Sequence, residues 1–380
     1  MKNPLRKMFR RQDDAREAKA ASGFIAVAHE AAAHWTGRSY RALSEQGYQR
    51  NPVAYRAVRM VAEASAAVPL LLYDGDEEIA EHPALSLLAR PNGQMAGADF
   101  LEALYGHLML SGNAYVEAAR IGAEPRELHL LRPDRVRILE DRDGWPEGYE
   151  YRIGGRVRRF AAGEGGILHL KLFHPLDDHL GFPPLAAAQM ALDLSNAAAT
   201  WNKALLDNSA RPSGALVYQP KEGGNLSADQ YDRLKSELEE GYSGATRAGR
   251  PLLLEGGLDW KAMGLSPKDM DFVEAKNGAA RDIALAFGVP PMLVGIPGDN
   301  TYANYQEANR AFYRLTVLPL VMRTAAALSG WLSDLYGEGV SLRPDLDQVA
   351  GLTGERNEVW ARLKDAAFLS DEEKRRAVGY

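Results

Sequence analysis

Residues 266–304 read SPKDMDFVEAKNGAARDIALAFGVPPMLVGIPGDNTYAN, a helix, a Pro/Gly-punctuated loop and the start of a second helix. Ser266 suits an N-cap, and Pro267 suits the first helical position, where its missing N–H is not needed. Phe272, Ala279, Ile283 and Phe287 follow at helical spacing and predict one buried stripe. Gly288 ends the helix, and Val289-Pro290-Pro291 blocks its continuation. The loop Gly295-Ile-Pro-Gly-Asp-Asn-Thr301 then opens a long helix from about Tyr302 to Tyr336. Pro319 falls inside it, where a proline removes one backbone hydrogen bond and crowds the preceding turn, so a kink is expected there.

Toward the N-terminus, residues 185–208 predict a matching Ala-rich helix with Leu185, Met190, Leu192, Leu194, Trp201 and Leu205. Between the two helices lies an insert of residues 211–265. It reads as a strand at 215–218, a helix opened by the capping signal Ser227-Ala-Asp-Gln230, and a strand at 251–255. Upstream, Asn51-Pro52 caps a helix whose Val53, Ala57, Val58, Val61 and Ala62 share one face. A strand at 70–73, helices after Pro83 and near Asp99, and strand-like runs at 114–117, 128–131, 136–138, 149–151 and 167–170 complete an α+β region. Arg343-Pro344 breaks the chain before a charged helical tail. The first 44 residues read as an arm; residues 1–19 carry seven Lys/Arg against Asp13, Asp14 and Glu17.

Composition narrows the chemistry. A net charge of −6 speaks against a broad nucleic-acid-gripping surface, which needs clustered cations. With no cysteine, disulfides, thiol nucleophiles and cysteine metal sites are excluded. No apolar run is read as approaching the length of a membrane span, and no apolar core follows the basic start as in a secretion signal. The glycine pairs at 165–166, 223–224 and 256–257 fit neither a dinucleotide fingerprint nor a Walker A loop. His169, His174, Asp177, Asp178 and His179 are the one enzymatic lure, a candidate divalent-metal site for a hydrolase. Their spacing is not that of a helical His pair and Pro175 interrupts it, so a polar turn is the expected reading.

Several segments together resemble the portal (head–tail connector) proteins of tailed bacteriophages, in the HK-type siphophage branch. They are Asn51-Pro-Val-Ala-Tyr-Arg-Ala-Val58, Ala67-Val-Pro-Leu-Leu-Leu-Tyr73, His82-Pro-Ala-Leu-Ser-Leu-Leu88 with Arg90-Pro-Asn92, and Gly112-Asn-Ala-Tyr115. Leu131-Arg-Pro133, Ile167-Leu-His169, Ala286 to Gly295, Asn300-Thr-Tyr-Ala-Asn304 and Leu315-Thr-Val-Leu-Pro319 continue the match in order, over about residues 45–340. The source could equally be a phage, a prophage or a gene transfer agent.

The resemblance implies a portal fold: a wing (45–182, with 289–344 returning to it), a stem of two helices (183–210 and 266–288), a clip (211–265) and a short crown (345–380). It implies a non-enzymatic subunit of a twelve-fold ring at one capsid vertex, through which double-stranded DNA enters and leaves the head. It also implies no cofactor, no membrane, assembly in the host bacterial cytoplasm, and a place in the virion. The implied partners are further copies of the chain, the major capsid protein, the terminase large subunit and head–tail adaptor proteins.

On this plan Gly298, Asp299, Asn300, Thr301, Tyr302, Ala303 and Asn304 would form a tunnel loop, although Asn300 or Thr301 also serves as a plain helix cap. Tyr302, Tyr305 and Phe312 suit a buried helical stripe. Lys268, Asp271, Glu274, Arg281 and Asp282 would face the channel, a mixed-charge wall that lets phosphate slide. Lys221, Arg233, Lys235, Arg247 and Arg250 would be partner-facing clip residues, or plain solvated charges. A generic assembly adaptor is the remaining alternative.

Overall fold

The computed structural model describes residues 35–378 apart from 123, 163–165, 208–213, 219–226, 228, 231, 234–235, 237–257, 263–271, 299–300 and 338. Asn51 caps helix α1 (Pro52–Ala66), its side-chain oxygen accepting from the backbone N–H of Val53 and Ala54, both at 3.0 Å. The buried face of α1, Ala54, Ala57, Val58, Val61 and Ala62, begins the main core. Strands β1 (Leu70–Asp74) and β2 (Glu77–Ile79) form a hairpin, and helix α2 (Pro83–Ala89) is capped by the His82 ring, which accepts from Ala84 N–H. Helix α3 (Gly97–Ser111) lays Phe100, Leu104 and Leu108 against α1 and ends on left-handed Gly112. A Cβ at Gly112 would strike the backbone of Gly181 and Phe182, so only glycine fits this crossing.

Strands β3 (Asn113–Ile121), β4 (Glu124–Leu131), β5 (Val136–Glu140), β6 (Pro146–Ile153), β7 (Arg156–Ala161) and β8 (Ile167–Lys171) form two antiparallel sheets, ordered β4-β3-β8 and β5-β6-β7. Tyr115, Leu131 and Tyr151 make a second small core joining them. Helix α4 (Gln189–Asp207) leads toward the insert and helix α5 (Phe272–Ala286) returns from it, and the two pack on each other. Ala279, Ile283 and Phe287 are buried, which bears out that part of the stripe. In the insert, β9 (Gly214–Tyr218) pairs with β10 (Leu258–Ala262). The strand expected at 251–255 lies outside the described residues, as do Ser266 and Pro267. Ser227 and Gln230 form the reciprocal capping bonds that their spacing predicts.

Three expectations are corrected. Arg343-Pro344 does not break the chain but ends strand β11 (Val340–Pro344), which pairs with β1 from Leu70↔Pro344 to Asp74↔Val340. The proline is tolerated because β11 is the sheet edge, with order β11-β1-β2. The long helix is also not simply kinked at Pro319. Helix α6 (Tyr302–Phe312) passes into one π-helical turn, Tyr313–Val317, and Pro319 then occupies the first turn of helix α7 (Leu318–Tyr336). Leu318 N–H reaches back to Tyr313 C=O, so the widened turn absorbs the site where proline cannot donate. The span Tyr302–Tyr336 is long and apolar enough to cross a bilayer by length and composition, contrary to the sequence reading. Yet Val317, Val321, Ala325, Leu328 and Leu332 of it are in the main core, as a central helix of a folded domain would be. Helices α8 (Thr353–Lys364) and α9 (Asp371–Val378) form the charged tail.

Asn51 also donates from Nδ2 to Ser195 Oγ (3.0 Å) and Asn196 Oδ1 (3.1 Å) on α4, and Asn196 donates to Gln46 C=O (2.8 Å). Replacing Asn51 by Ala removes a cap worth about 1 kcal/mol and orphans a buried hydroxyl at about 1–2 kcal/mol more. Chemical denaturation of Asn51→Ala should show a loss of about 2–3 kcal/mol; a loss below about 0.5 kcal/mol would contradict this role.

Two imidazoles are stored neutral. Burial, and then the positive charge of Arg132, pushes His107 down to about 4; its Nδ1 lies 3.1 Å from Tyr40 Oη. His169 is pushed down to about 3, again mainly by burial, with Lys171 adding to it, and it stacks on Tyr115. Unfolded histidine titrates near 6.5, so below that pH the unfolded chain gains protons that the folded chain refuses. Stability present above pH 6.5 should therefore fall as pH drops toward the folded values, by up to about 1.4 kcal/mol per pH unit for each histidine. Denaturation at pH 6.5, 5.7 and 5.0 should show this slope, and His169→Gln should remove about half of it.

Candidate channel and assembly surfaces

The loop ahead of α6 is fastened at its base. Pro291–Val294 forms a 3-10 turn closed by left-handed Gly295, and Ile296 is buried with Ala280 and Ala284 of α5. Arg281 donates to Pro297 C=O at 2.7 Å, so one cation assigned to the channel wall also holds the loop. Gly298 is exposed; Asp299 and Asn300 lie outside the described residues. Thr301 caps α6, its hydroxyl accepting from Asn304 N–H at 3.2 Å, the plain role that its position allowed. Ala303 and Asn304 on the first turn are exposed.

The aromatic stripe is corrected. Phe312 is buried, but Tyr302 is 78% exposed and Tyr305 50%. Gln306 donates to the Tyr302 hydroxyl at 3.0 Å, fixing that ring on the outer face of α6. Helical spacing identifies a common face but not what covers it, and the first turns of α6 extend beyond the core.

Of the other expected channel-wall residues, Glu274 and Asp282 are exposed on α5, as is Arg281, while Lys268 and Asp271 lie outside the described residues. In the insert, Arg233 is helical and exposed; Lys221, Lys235, Arg247 and Arg250 lie outside the described residues.

Sequence reasoning missed an apolar cleft of about 420 Å³ between the end of α5 and the π-helical turn. Leu285, Val289, Pro290, Phe312 and Leu315 line it, with Arg281 and Asp282 at its rim. Leu285 is 75% exposed and Leu315 77%. The one available signal was that Leu285 sits off the buried stripe of Ile283 and Phe287.

The histidine turn is accounted for by structure. His169 Nε2 meets Asn113 Oδ1 at 2.9 Å, His174 Nδ1 accepts from Leu176 N–H, and His179 Nε2 donates to Gly144 C=O. Asp177 accepts from the N–H groups of His179 and Leu180, which hold its carboxyl below the usual range. Among the described residues no group of His and acidic side chains has metal-binding geometry.

A family model described as "Phage portal protein" matches residues 52–379. The chain is 25% identical over 342 residues to the probable portal protein of Streptomyces phage phiC31, covering 84% of this chain and 72% of that protein. Among solved structures it is similar to a chain in the neck of an empty gene transfer agent (GTA) particle, at 55% identity and a TM-score of 0.74, covering 91% of this chain and 95% of that one. A chain in the neck of the native particle, computed with C12 symmetry, matches at 54% identity and a TM-score of 0.71, covering 91% and 94%. The α+β core, the two-helix excursion around an insert and the capped loop before a long helix therefore have a common origin: the chain belongs to the phage portal protein family.

Proposed function

We propose that twelve copies of this chain close into a ring at the neck of a phage-like or gene-transfer particle, and that double-stranded DNA passes through the ring. The observation that carries the ring is apolar surface that one chain does not cover. On the helices joined through the insert, Met190 and Leu194 of α4 and Val273 and Leu285 of α5 are exposed, and the Leu285–Leu315 cleft lies open beside them. Exposed apolar residues on both helices, with an open apolar cleft, offer surface for another copy to cover. Interfaces in a ring are heterologous, so each copy offers two different surfaces to its neighbours. The C12 neck of the similar particle supports the number.

In this reading residues 45–182 and 289–344 make the wing, 183–210 and 266–288 the stem, 211–265 the clip and 345–380 the crown. The loop at 298–304 lines the narrowest part of the channel, and α5 lends the wall Glu274, Arg281 and Asp282, whose opposite charges limit adhesion to DNA phosphates. The role is structural. The motor that drives DNA is then a separate protein, a terminase large subunit meeting the clip, while capsid and head–tail adaptor proteins meet the outside of the ring. Assembly takes place in the host cytoplasm and the finished ring stays in the particle.

Leu285→Asp and Leu315→Asp place a charge on surface that is exposed in one chain and buried between two. Each variant should keep its circular dichroism and melting temperature as an isolated chain yet fail to form rings in size-exclusion chromatography and electron microscopy. Rings that form as in the unaltered chain would overturn the assignment of this cleft to the subunit interface.

A further inference from the structure

The outer face of the β5-β6-β7 sheet has a charge pattern opposite to that of the whole chain. Its register places Arg137, Glu150 and Arg159 side by side across the three strands, with Arg152 and Val157 as the next pair. Glu150 is the only acid in these two rows, and its side chain is 5% exposed. Arg152 binds it through Nε at 2.7 Å and Nη2 at 2.5 Å, and Arg159 Nε approaches its other oxygen at 3.2 Å. Arg137, Arg152 and Arg159 are all exposed; two of the guanidinium groups hold one buried carboxylate, and Arg137 lies opposite it in the register. On the opposite face Tyr151 and Tyr149 pack toward Tyr115 and Arg158 pairs with Glu117, while Ile153 and Arg156 at its end are exposed.

The pattern goes beyond solubility. The chain has a net charge of −6, yet the two rows carry a surplus of two positive charges. The buried carboxylate holds two guanidinium groups in place, which reduces the entropy lost when they bind an anion. Gly148 and Ala161 keep the adjoining row flat, and a Cβ at Gly148 would strike Phe160 C=O. Protein partners usually bring an apolar core to an interface. Here the apolar contribution is limited to Val157 and half-buried Leu139 beside the guanidiniums, a composition closer to surfaces that meet a phosphate backbone.

We infer that this sheet face is a sequence-independent binding surface for the phosphate backbone of double-stranded DNA, separate from the channel. One chain forms the whole face, so the inference does not rest on the ring. Repetition in a ring would multiply weak contacts along one DNA.

The test uses fluorescence anisotropy of the full chain with a labelled 20-base-pair duplex at 50–300 mM salt. A polyglutamate peptide serves as the second probe, and mass photometry records the oligomeric state of each sample. Arg137→Gln with Arg159→Gln removes two cations and leaves Arg152 on Glu150. Arg362→Gln with Arg375→Gln is the charge-matched control on the tail. The inference predicts DNA binding that weakens about tenfold at 50 mM salt in the sheet variant, with a log–log salt slope lower by about 2, and an unchanged control. Equal loss in both variants, no DNA binding by the unaltered chain at 50 mM salt, or tighter binding of polyglutamate than of DNA would each overturn it. Because the oligomeric state is read separately, failure of the ring and failure of this surface are distinguishable.

Discussion

One buried amide fixes the geometry on which the rest depends. Asn51 caps α1 with its oxygen and holds α4 with its nitrogen, so the first core helix and the first helix of the insert excursion are tied at a single side chain. Thr36 adds a second tie, its N–H donating to Asp193 at 3.0 Å and its hydroxyl to the same carboxylate. Past Ala198, residues 199–204 of α4 have no buried member, nor have residues 273–278 of α5. The two helices therefore leave the core together, and their direction is set at their roots. A buried polar junction suits this task because its hydrogen-bond geometry is specific where apolar contact is not.

The excursion creates the assembly problem that the fold answers with copies of itself. Val273 is exposed where α5 lies off the core, and Met190, Leu194 and Leu285 are exposed on the outer faces of the packed segments. Beside them the loop base is rigid: Ile296 is buried, Arg281 holds Pro297, and the Thr316 hydroxyl donates to Gly288 C=O at 2.7 Å. The exposed first turn of α6 therefore follows a loop base fastened to α5. The mixed charges of α5 contrast with the arginine rows of the β5-β6-β7 sheet, where three arginines stand with a single acid in two rows.

Much of this was legible in the sequence wherever punctuation was local. Asn51-Pro52, His82-Pro83, Gly112 and Val289-Pro290-Pro291 each mark an element boundary close to where it stands. The misses arose where distant partners decide. The strand at 340–344 is made by β1, far away in the chain, and its Arg-Pro ending resembles a break. The strand β7 reads Arg-Val-Arg-Arg-Phe-Ala and shows no buried alternation, because its residues are nearly all exposed. The π-helical turn shifts the effect of Pro319 to the residues before it. Of the candidate site, the loop and the charges on α5 were visible as sequence, whereas the Leu285–Leu315 cleft needed the fold to bring residues about 30 apart together.

The central claim is that the exposed stem surfaces close a ring. Native mass spectrometry of the purified chain, combined with electron-microscopy class averages of the same sample, tests it most directly. The account predicts a closed ring with a central hole and a mass of twelve copies. A monomer at every concentration, or a two-fold dimer burying the same leucines, would contradict it.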